Sequence, residues 1–413
     1  MLENFTERLA QLPAPLVGPV AGRAAAKQWR GVLIDSARTC FSVDTICKTL
    51  HLLHRYGFNR LHWHLTDDAG WRFSVPEYPR LTEVGAFLPR NSFAHYHTLA
   101  PGMAQAGVEA AAGRWSNGFY TDAEISLVVE TAHRLGIEIM PELDLPGHML
   151  AAIASYPSLG RPAGLPLPEW GRPHLEPPAR LPAANDLLWP TDEALQFLQV
   201  VLARVVELFP YSKRVHIGGD ECALYQWETD PQMSEHLQRL QLPDEAALQR
   251  WFMERAILQL DAAGVAVGVW DEVSALDPDF PGLVFAWEAQ AGMKRVRAAT
   301  SRYVYADYRT LYFNQVDPDQ PDQLGMVPPI SVSDILCAAW PEYYASRCEG
   351  VQACAWAEFI LDEAALFSHL FPRLLAVAER VWNPLLADRP ATAAEAAELE
   401  QLIRTEAELL AGL

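Results

Sequence analysis

Asp220 and Glu221 stand side by side in "RVHIGGDECALYQW", residues 214–227, directly after Gly218 and Gly219. Two adjacent carboxyl groups suit acid–base work. Like-charge repulsion raises one pKa while the other group stays ionised, which is the condition a glycosidase needs at a single bond. On a regular strand neighbouring side chains point to opposite faces, so the pair could not serve one site. Glycines can adopt backbone conformations closed to other residues, so the strand can end there and the chain can turn both acids toward one cavity. An acidic pair satisfied by arginine or by backbone amides fits these residues equally well.

Aromatic residues shift that balance. Trp270, Trp287 and Trp356 each close a short apolar run. Sugars present apolar C–H faces that pack on aromatic walls, while their hydroxyls need polar partners. One tryptophan alone reads as core; three at strand ends beside an acid pair read as pocket walls. A metal site is the rival: His62 and His64 in "HWHLTDD" have the alternating spacing of strand-borne ligands. No lysine closes the fourth run, where "HIGGDE" stands instead. These two histidines and His216 therefore read better as hydrogen-bonded filler, and no metal is expected.

The elements that must position these residues are strands alternating with helices. Apolar runs mark strands at Val32–Asp35, Asn59–Leu65, Glu138–Glu142, Arg214–Gly218, Ala266–Trp270, Leu283–Trp287, Tyr303–Ala306 and Ala353–Trp356. Between them lie amphipathic stretches such as "SVDTICKTLHLLHRYG", with Ser42, Thr121 and Thr191 as N-caps and Gly57 and Gly136 as stops. Eight such repeats predict an α/β fold, a (β/α)8 TIM barrel whose active site lies at the C-terminal strand ends. A doubly wound open sheet is the alternative, but no Gly-rich dinucleotide turn follows the first strand. Residues 66–120 and 143–189 are long βα connections, read as walls of the site. Residues 1–28 form an extension packed on the barrel; residues 29–413 form the barrel and a C-terminal helix.

The chain has 413 residues, half of them hydrophobic, with a net charge of −20. Nucleic acid and membrane surfaces are poor partners for such a charge. Six cysteines without a CxxC pair read as reduced thiols, and no secretory signal or membrane span is visible. Together these predict a cytoplasmic protein.

"RGVLIDSAR", "NRLHWHLTDDAGWR", "MPELDLPGH", "HIGGDE", "VWDE" and "WAEF" follow one another between Trp29 and Trp382. In that order they resemble the glycoside hydrolase family 20 β-N-acetylhexosaminidases. The resemblance implies a retaining exo-enzyme that removes terminal β-linked GlcNAc or GalNAc without a cofactor, the substrate's own acetamido oxygen acting as nucleophile. It assigns Glu221 as general acid/base and Asp220 as the group that holds the acetamide. Tyr312 positions the acetamido carbonyl, and Asp35 and His148 line up with Glu221 to tune it. Arg30 and Glu358 bind sugar hydroxyls, and Trp270, Trp287 and Trp356 wall the pocket. Asn314 replaces an aspartate common near the 6-hydroxyl, which lowers the repulsion of an anionic 6-substituent. The sheet domain that precedes many members' barrels is missing here, leaving surface for a second copy to cover as a homodimer. Narrower carbohydrate specificity, for 6-sulfo-GlcNAc, lacto-N-biose or β-1,6-poly-GlcNAc, is the alternative within the fold. A catalytically silent carbohydrate-binding barrel is the alternative outside it.

Overall fold

A computed structural model describes residues 2–88, 117–162, 186–320 and 322–413. Eight parallel strands close on themselves: β1 (Trp29–Asp35), β2 (Arg60–His64), β3 (Glu138–Glu142), β4 (Arg214–His216), β5 (Ala266–Trp270), β6 (Leu283–Ala286), β7 (Arg302–Tyr305) and β8 (Cys348–Ala355). Each strand neighbours the next in sequence. Pairing from Trp29↔Gly350 to Ile34↔Ala355 joins β1 to β8 and shuts the ring. Closure leaves the barrel itself without an edge strand and removes the open doubly wound alternative.

Strand alternation sorts the side chains into two cores. On β1, Val32 and Ile34 face outward to the helices; Leu33 joins Met140, Phe285, Cys354 and Trp356 inside the barrel. On β2, Leu61 and Trp63 belong to the outer core, so His62 and His64 point inward. The same parity sends Trp270 and Trp356 inward and the even-numbered Arg30 outward.

Helices follow from caps and apolar faces. Ser42, Thr121 and Thr191 accept hydrogen bonds from backbone N–H groups in the first turns of helices Val43–Arg55, Asp122–Arg134 and Asp192–Leu208. Thr121 and Glu124 complete a reciprocal capping box. Gly57 and Gly136 lie just beyond two helix ends with φ of 71° and 68°. Helix Leu2–Gln11 lays Phe5 and Leu9 on Leu52. The C-terminal helix Ala393–Ala411 buries Glu406, which accepts from Tyr56 Oη at 2.6 Å. Among the described residues, no helix is long and apolar enough to cross a membrane.

Three strand boundaries differ from the sequence reading by more than one residue. β1 starts three residues earlier, at Trp29, and β8 five earlier, at Cys348, because backbone pairing continues through Gly31 and Gly350, which no apolar pattern marks. β4 stops at His216, two residues early. Parts of both long connections, residues 89–116 and 163–185, lie outside the described residues. Around the first of them, the buried Arg72 guanidinium donates to the carbonyls of Ser36, Ala37, Ala86 and Gly118. One side chain thus ties the β1 loop to the β2 loop, where several site residues sit.

Candidate active site

The turn after β4 brings the two acids together. Gly218 and Gly219 have φ of 63° and 93°, and Glu221 has φ of 47°. A Cβ on Gly218 would meet Asp144 Oδ1 at 1.6 Å, and one on Gly219 would meet Val273 Cγ2 at 2.5 Å. Only glycine fits either place. Three left-handed residues within four positions break the strand's alternation, and both carboxylates reach one imidazole. His148 Nε2 is 3.6 Å from Glu221 Oε2 and 4.0 Å from Asp220 Oδ2.

On its other side, His148 Nδ1 lies 3.2 Å from Asp68 Oδ2 and 3.6 Å from Asp67 Oδ1. The acids behind His148 are therefore Asp67 and Asp68, just past β2. The expectation that Asp35 would line up with His148 and Glu221 is corrected here: Asp35, at the end of β1, accepts from the N–H groups of Arg38 and Ala357, each at 2.9 Å, and pairs with the Arg38 guanidinium at 3.2 Å. Its contact with the pocket side runs to Arg38.

Arg30 also needs correcting. It is the second residue of β1, at the N-terminal end of the barrel and on its outer side. Its guanidinium donates to the carbonyls of Gly57, Lys27 and Gln28 and stacks on Trp382 at 5.0 Å. Arg38, three residues beyond the C-terminal end of β1, is the arginine at the pocket. It pairs with Asp67 at 2.7 Å and lies 5.2 Å over the Trp356 ring.

The aromatic residues converge. Trp270 and Trp356 centroids are 5.8 Å apart, Tyr312 and Trp356 6.1 Å, and Tyr312 stacks on Trp287 at 5.9 Å and 13°. Three of these rings come from the ends of β5, β6 and β8, and Tyr312 comes from the loop after β7. Burial raises the Tyr312 phenol well above its usual range, so it is a neutral hydrogen-bond donor. Asn314 is 3 % exposed, with Nδ2 3.5 Å from Glu358 Oε2. Burial also raises Glu358. Every strand end thus contributes to one rim.

Beneath the rim, Glu142 anchors the floor. One carboxylate oxygen accepts from Trp270 Nε1 at 2.9 Å and lies 2.7 Å from His216 Nδ1; the other contacts His64 and lies 3.1 Å from His62 Nε2. Burial works to raise Glu142, but His216, His64 and His62 outweigh it and hold it well below the usual range. Burial pushes His62 down to about 4. It opposes a charge on His64 too, yet Glu142 and Asp67 push that imidazole up to about 10. His62, Glu142 and His216 have the types of a metal-ligand set. Trp270 Nε1 and His64 Nδ1 hydrogen-bond Glu142, whereas His216 Nε2 has no hydrogen-bond partner among the described residues.

The carboxyls that burial pushes upward flank the acid pair. Asp144 is raised well above its usual range by burial and then by Asp220, and its Oδ1 accepts from Gly219 N–H at 3.1 Å. Glu272 is pushed up to about 8, again by burial first and Asp220 next. The side chains of Asp144 and Asp220 hydrogen-bond each other, two neighbouring acids sharing a proton.

A barrel with paired acids after β4 and an aromatic pocket over its C-terminal end agrees with the sequence comparison. The profile of "Glycosyl hydrolase family 20, catalytic domain" matches residues 28–385. The chain belongs to glycosyl hydrolase family 20. It is 29 % identical to a β-hexosaminidase of Porphyromonas gingivalis over 91 % of this chain and 45 % of that protein. It is 30 % identical to a β-N-acetylhexosaminidase of Cellulomonas fimi over 86 % of this chain and 63 % of that one. The Vibrio harveyi family 20 exo-β-N-acetylglucosaminidase, solved in complex with N-acetylglucosamine, superposes with a TM-score of 0.77 at 26 % identity. That match covers 94 % of this chain and 59 % of the other. The chain thus spans about half to two thirds of the length of these three relatives.

Arg38, Asp68 and Glu272 escaped the sequence reading as site residues. A signal existed for all three: each lies just past the C-terminal end of a strand, where this architecture gathers its chemistry.

Proposed function

We propose that the protein is a retaining exo-β-N-acetylhexosaminidase working by substrate assistance. The observation that carries this reading is the Asp220–Glu221 pair, both carboxyl groups turned to His148 beside the Trp270–Trp287–Tyr312–Trp356 pocket. A carboxylate at Asp220 accepts the N–H of a 2-acetamido group in a charge-assisted hydrogen bond. In the first step Glu221 gives its proton to the glycosidic oxygen as the acetamido oxygen closes on the anomeric carbon. The leaving alcohol departs and an oxazolinium ion remains, its charge balanced by Asp220. In the second step Glu221 takes a proton from water, which opens the ring with net retention. Tyr312 donates to the acetamido oxygen and aligns it for attack. His148, between Asp67/Asp68 and the acid pair, supports the proton load on Glu221. Arg38 and Glu358 hold outer hydroxyls.

The test is hydrolysis of a chromogenic β-N-acetylglucosaminide against the matching β-glucoside, with Glu221→Gln alongside. Strong preference for the acetamido sugar, lost in the variant, is expected. Equal rates on the two sugars would remove the acetamide from the mechanism.

A second reading concerns substrate range. Asn314 brings a neutral amide next to Glu358, so a 6-sulfated N-acetylglucosamine meets one negative charge fewer than an aspartate would give. Turnover of the sulfated substrate comparable to that of the plain one supports it; complete failure on the sulfated one removes it.

A further inference from the structure

Glu221 occupies a backbone conformation that an L-residue does not hold by itself. Its φ of 47° lies in the left-handed region, and it has none of glycine's freedom there. The conformation matters because it breaks strand alternation and lets Glu221 and Asp220 face the same imidazole. Something must hold it. The Glu221 N–H donates to Glu272 Oε2 at 3.0 Å, from the loop after β5.

Glu272 is itself well placed for such a task. Its neighbour Asp271 accepts from Trp287 N–H at 2.8 Å and from Arg295 at 2.7 Å. The Asp271 N–H in turn donates to the Phe285 carbonyl at 3.0 Å. Trp270, immediately before, is fixed by Glu142. Two consecutive residues at the end of β5, Trp270 and Asp271, are thus locked to the barrel floor, to β6 and to helix Ala289–Ala298. The carboxyl of Glu272 is the part of this segment that reaches β4.

We infer that Glu272 is a positioning residue for hydrolysis: its side-chain oxygen pins the Glu221 backbone in the left-handed conformation and so aims the acid/base. The inference rests on the proposed role of Glu221 and deepens it. Burial and Asp220 push Glu272 up to about 8, so near neutrality it accepts through the carbonyl oxygen of a protonated acid. Glutamine presents the same oxygen. Aspartate, one methylene shorter, does not reach.

The experiment compares wild type with Glu272→Gln, Glu272→Asp and Glu272→Ala on two β-N-acetylglucosaminides, one with a dinitrophenyl leaving group and one being chitobiose. The ratio kcat/KM reports the first bond cleavage. A dinitrophenolate departs with little help from an acid, whereas a sugar hydroxyl needs the proton. Misaimed Glu221 therefore loses about tenfold or more on chitobiose beyond its loss on the dinitrophenyl substrate. That excess is expected for Ala and Asp and is absent for Gln. A residue serving stability alone would lower both rates equally, and that result overturns the inference.

Crystal structures of the Ala and Asp variants give a second readout that needs no turnover. Glu221 leaving positive φ supports the inference; Glu221 staying there overturns it. A wild type inert on both substrates would sink the hydrolase reading, and the backbone conformation would still decide the role of Glu272.

Discussion

At the floor of the barrel, Glu142 lies among His62, His64 and His216 and is held ionised, while His64 is held protonated. Higher up, Asp144 and Glu272 are also deeply buried, yet both are pushed toward the neutral acid. Burial acts in the same direction on all three carboxyls. What differs is the sign of the neighbours: imidazoles below, the Asp220 carboxylate above. Opposite charges at the floor stabilise one another and carry Trp270 as a rigid wall. Like charges at the rim keep protons on carboxyl groups beside the reacting pair. The floor is built for stability and the rim for reaction.

Substitution separates the two layers most sharply. Glu221→Gln at the rim should lower kcat about 10²–10⁴-fold, the usual share of a general acid, with unfolding free energy within about 0.5 kcal/mol of wild type. Glu142→Gln at the floor leaves the His64 imidazolium buried without its main partner and should cost about 3–5 kcal/mol of stability. Initial rates and urea unfolding check both. A Glu142→Gln variant as stable as wild type would break the distinction.

The pH dependence of stability sharpens it. His64 has a folded pKa of about 10 against an ordinary 6.5. The folded chain therefore holds an extra proton between these values. This contribution is complete below pH 6.5 and is lost as pH rises through 10. Glu272, folded at about 8 against an ordinary 4.5, also keeps a proton the unfolded chain releases, so stability falls from 4.5 to 8 and then levels. Between about pH 8 and about pH 10 the floor contribution is still being lost as pH rises, whereas the Glu272 contribution is already spent. Over that window the unfolding free energy of Glu142→Gln should fall less steeply than that of wild type, by up to about 1.4 kcal/mol per pH unit. Parallel slopes would mean His64 does not depend on Glu142.

The two ends of β1 give the next contrast. Arg38 at the rim pairs with Asp35 and Asp67 over Trp356, so Arg38→Ala should reduce kcat/KM about tenfold to hundredfold, the loss of a charged hydrogen bond. Arg30→Ala should leave kcat/KM within about twofold and lower stability by about 1–3 kcal/mol through lost carbonyl contacts and stacking. The reverse outcome would restore Arg30 to the site.

That pair also explains what the sequence makes legible. Strand existence and order, the caps at Ser42, Thr121 and Thr191, and the aromatic positions follow from local pattern, because apolar period and capping chemistry are local properties. "RGVLIDSAR" holds two arginines eight residues apart, about 26 Å along an extended strand. Choosing between them needs strand parity and direction, which pairing with β2 and β8 settles. His148 likewise finds Asp67 and Asp68 across space, through a loop whose path no local pattern dictates. Glu272 stood in the motif "VWDE" beside a tryptophan that drew the attention. Its role became visible only with the N–H of Glu221 pointing at it.

The smallest effect belongs at the outer edge of the pocket. Asn314 Nδ2 faces Glu358, and its Oδ1 is buried without a partner among the described residues. Asn314→Asp places a second carboxylate against the first in a buried setting. Two unit charges about 7 Å apart interact by roughly 2 kcal/mol at an effective dielectric of about 20, less after screening. A 6-sulfate approaching that corner would feel most of this and a 6-hydroxyl almost none. The ratio of kcat/KM for plain over 6-sulfated chromogenic substrate should therefore rise about tenfold in Asn314→Asp, with turnover of the plain substrate changed only a few-fold. Paired measurements on the two substrates at low and high salt check it, since the added discrimination should shrink as salt rises. A ratio unmoved by the substitution would place the sulfate away from Asn314, and the amide would then be one more structural contact of the rim rather than a determinant of substrate range.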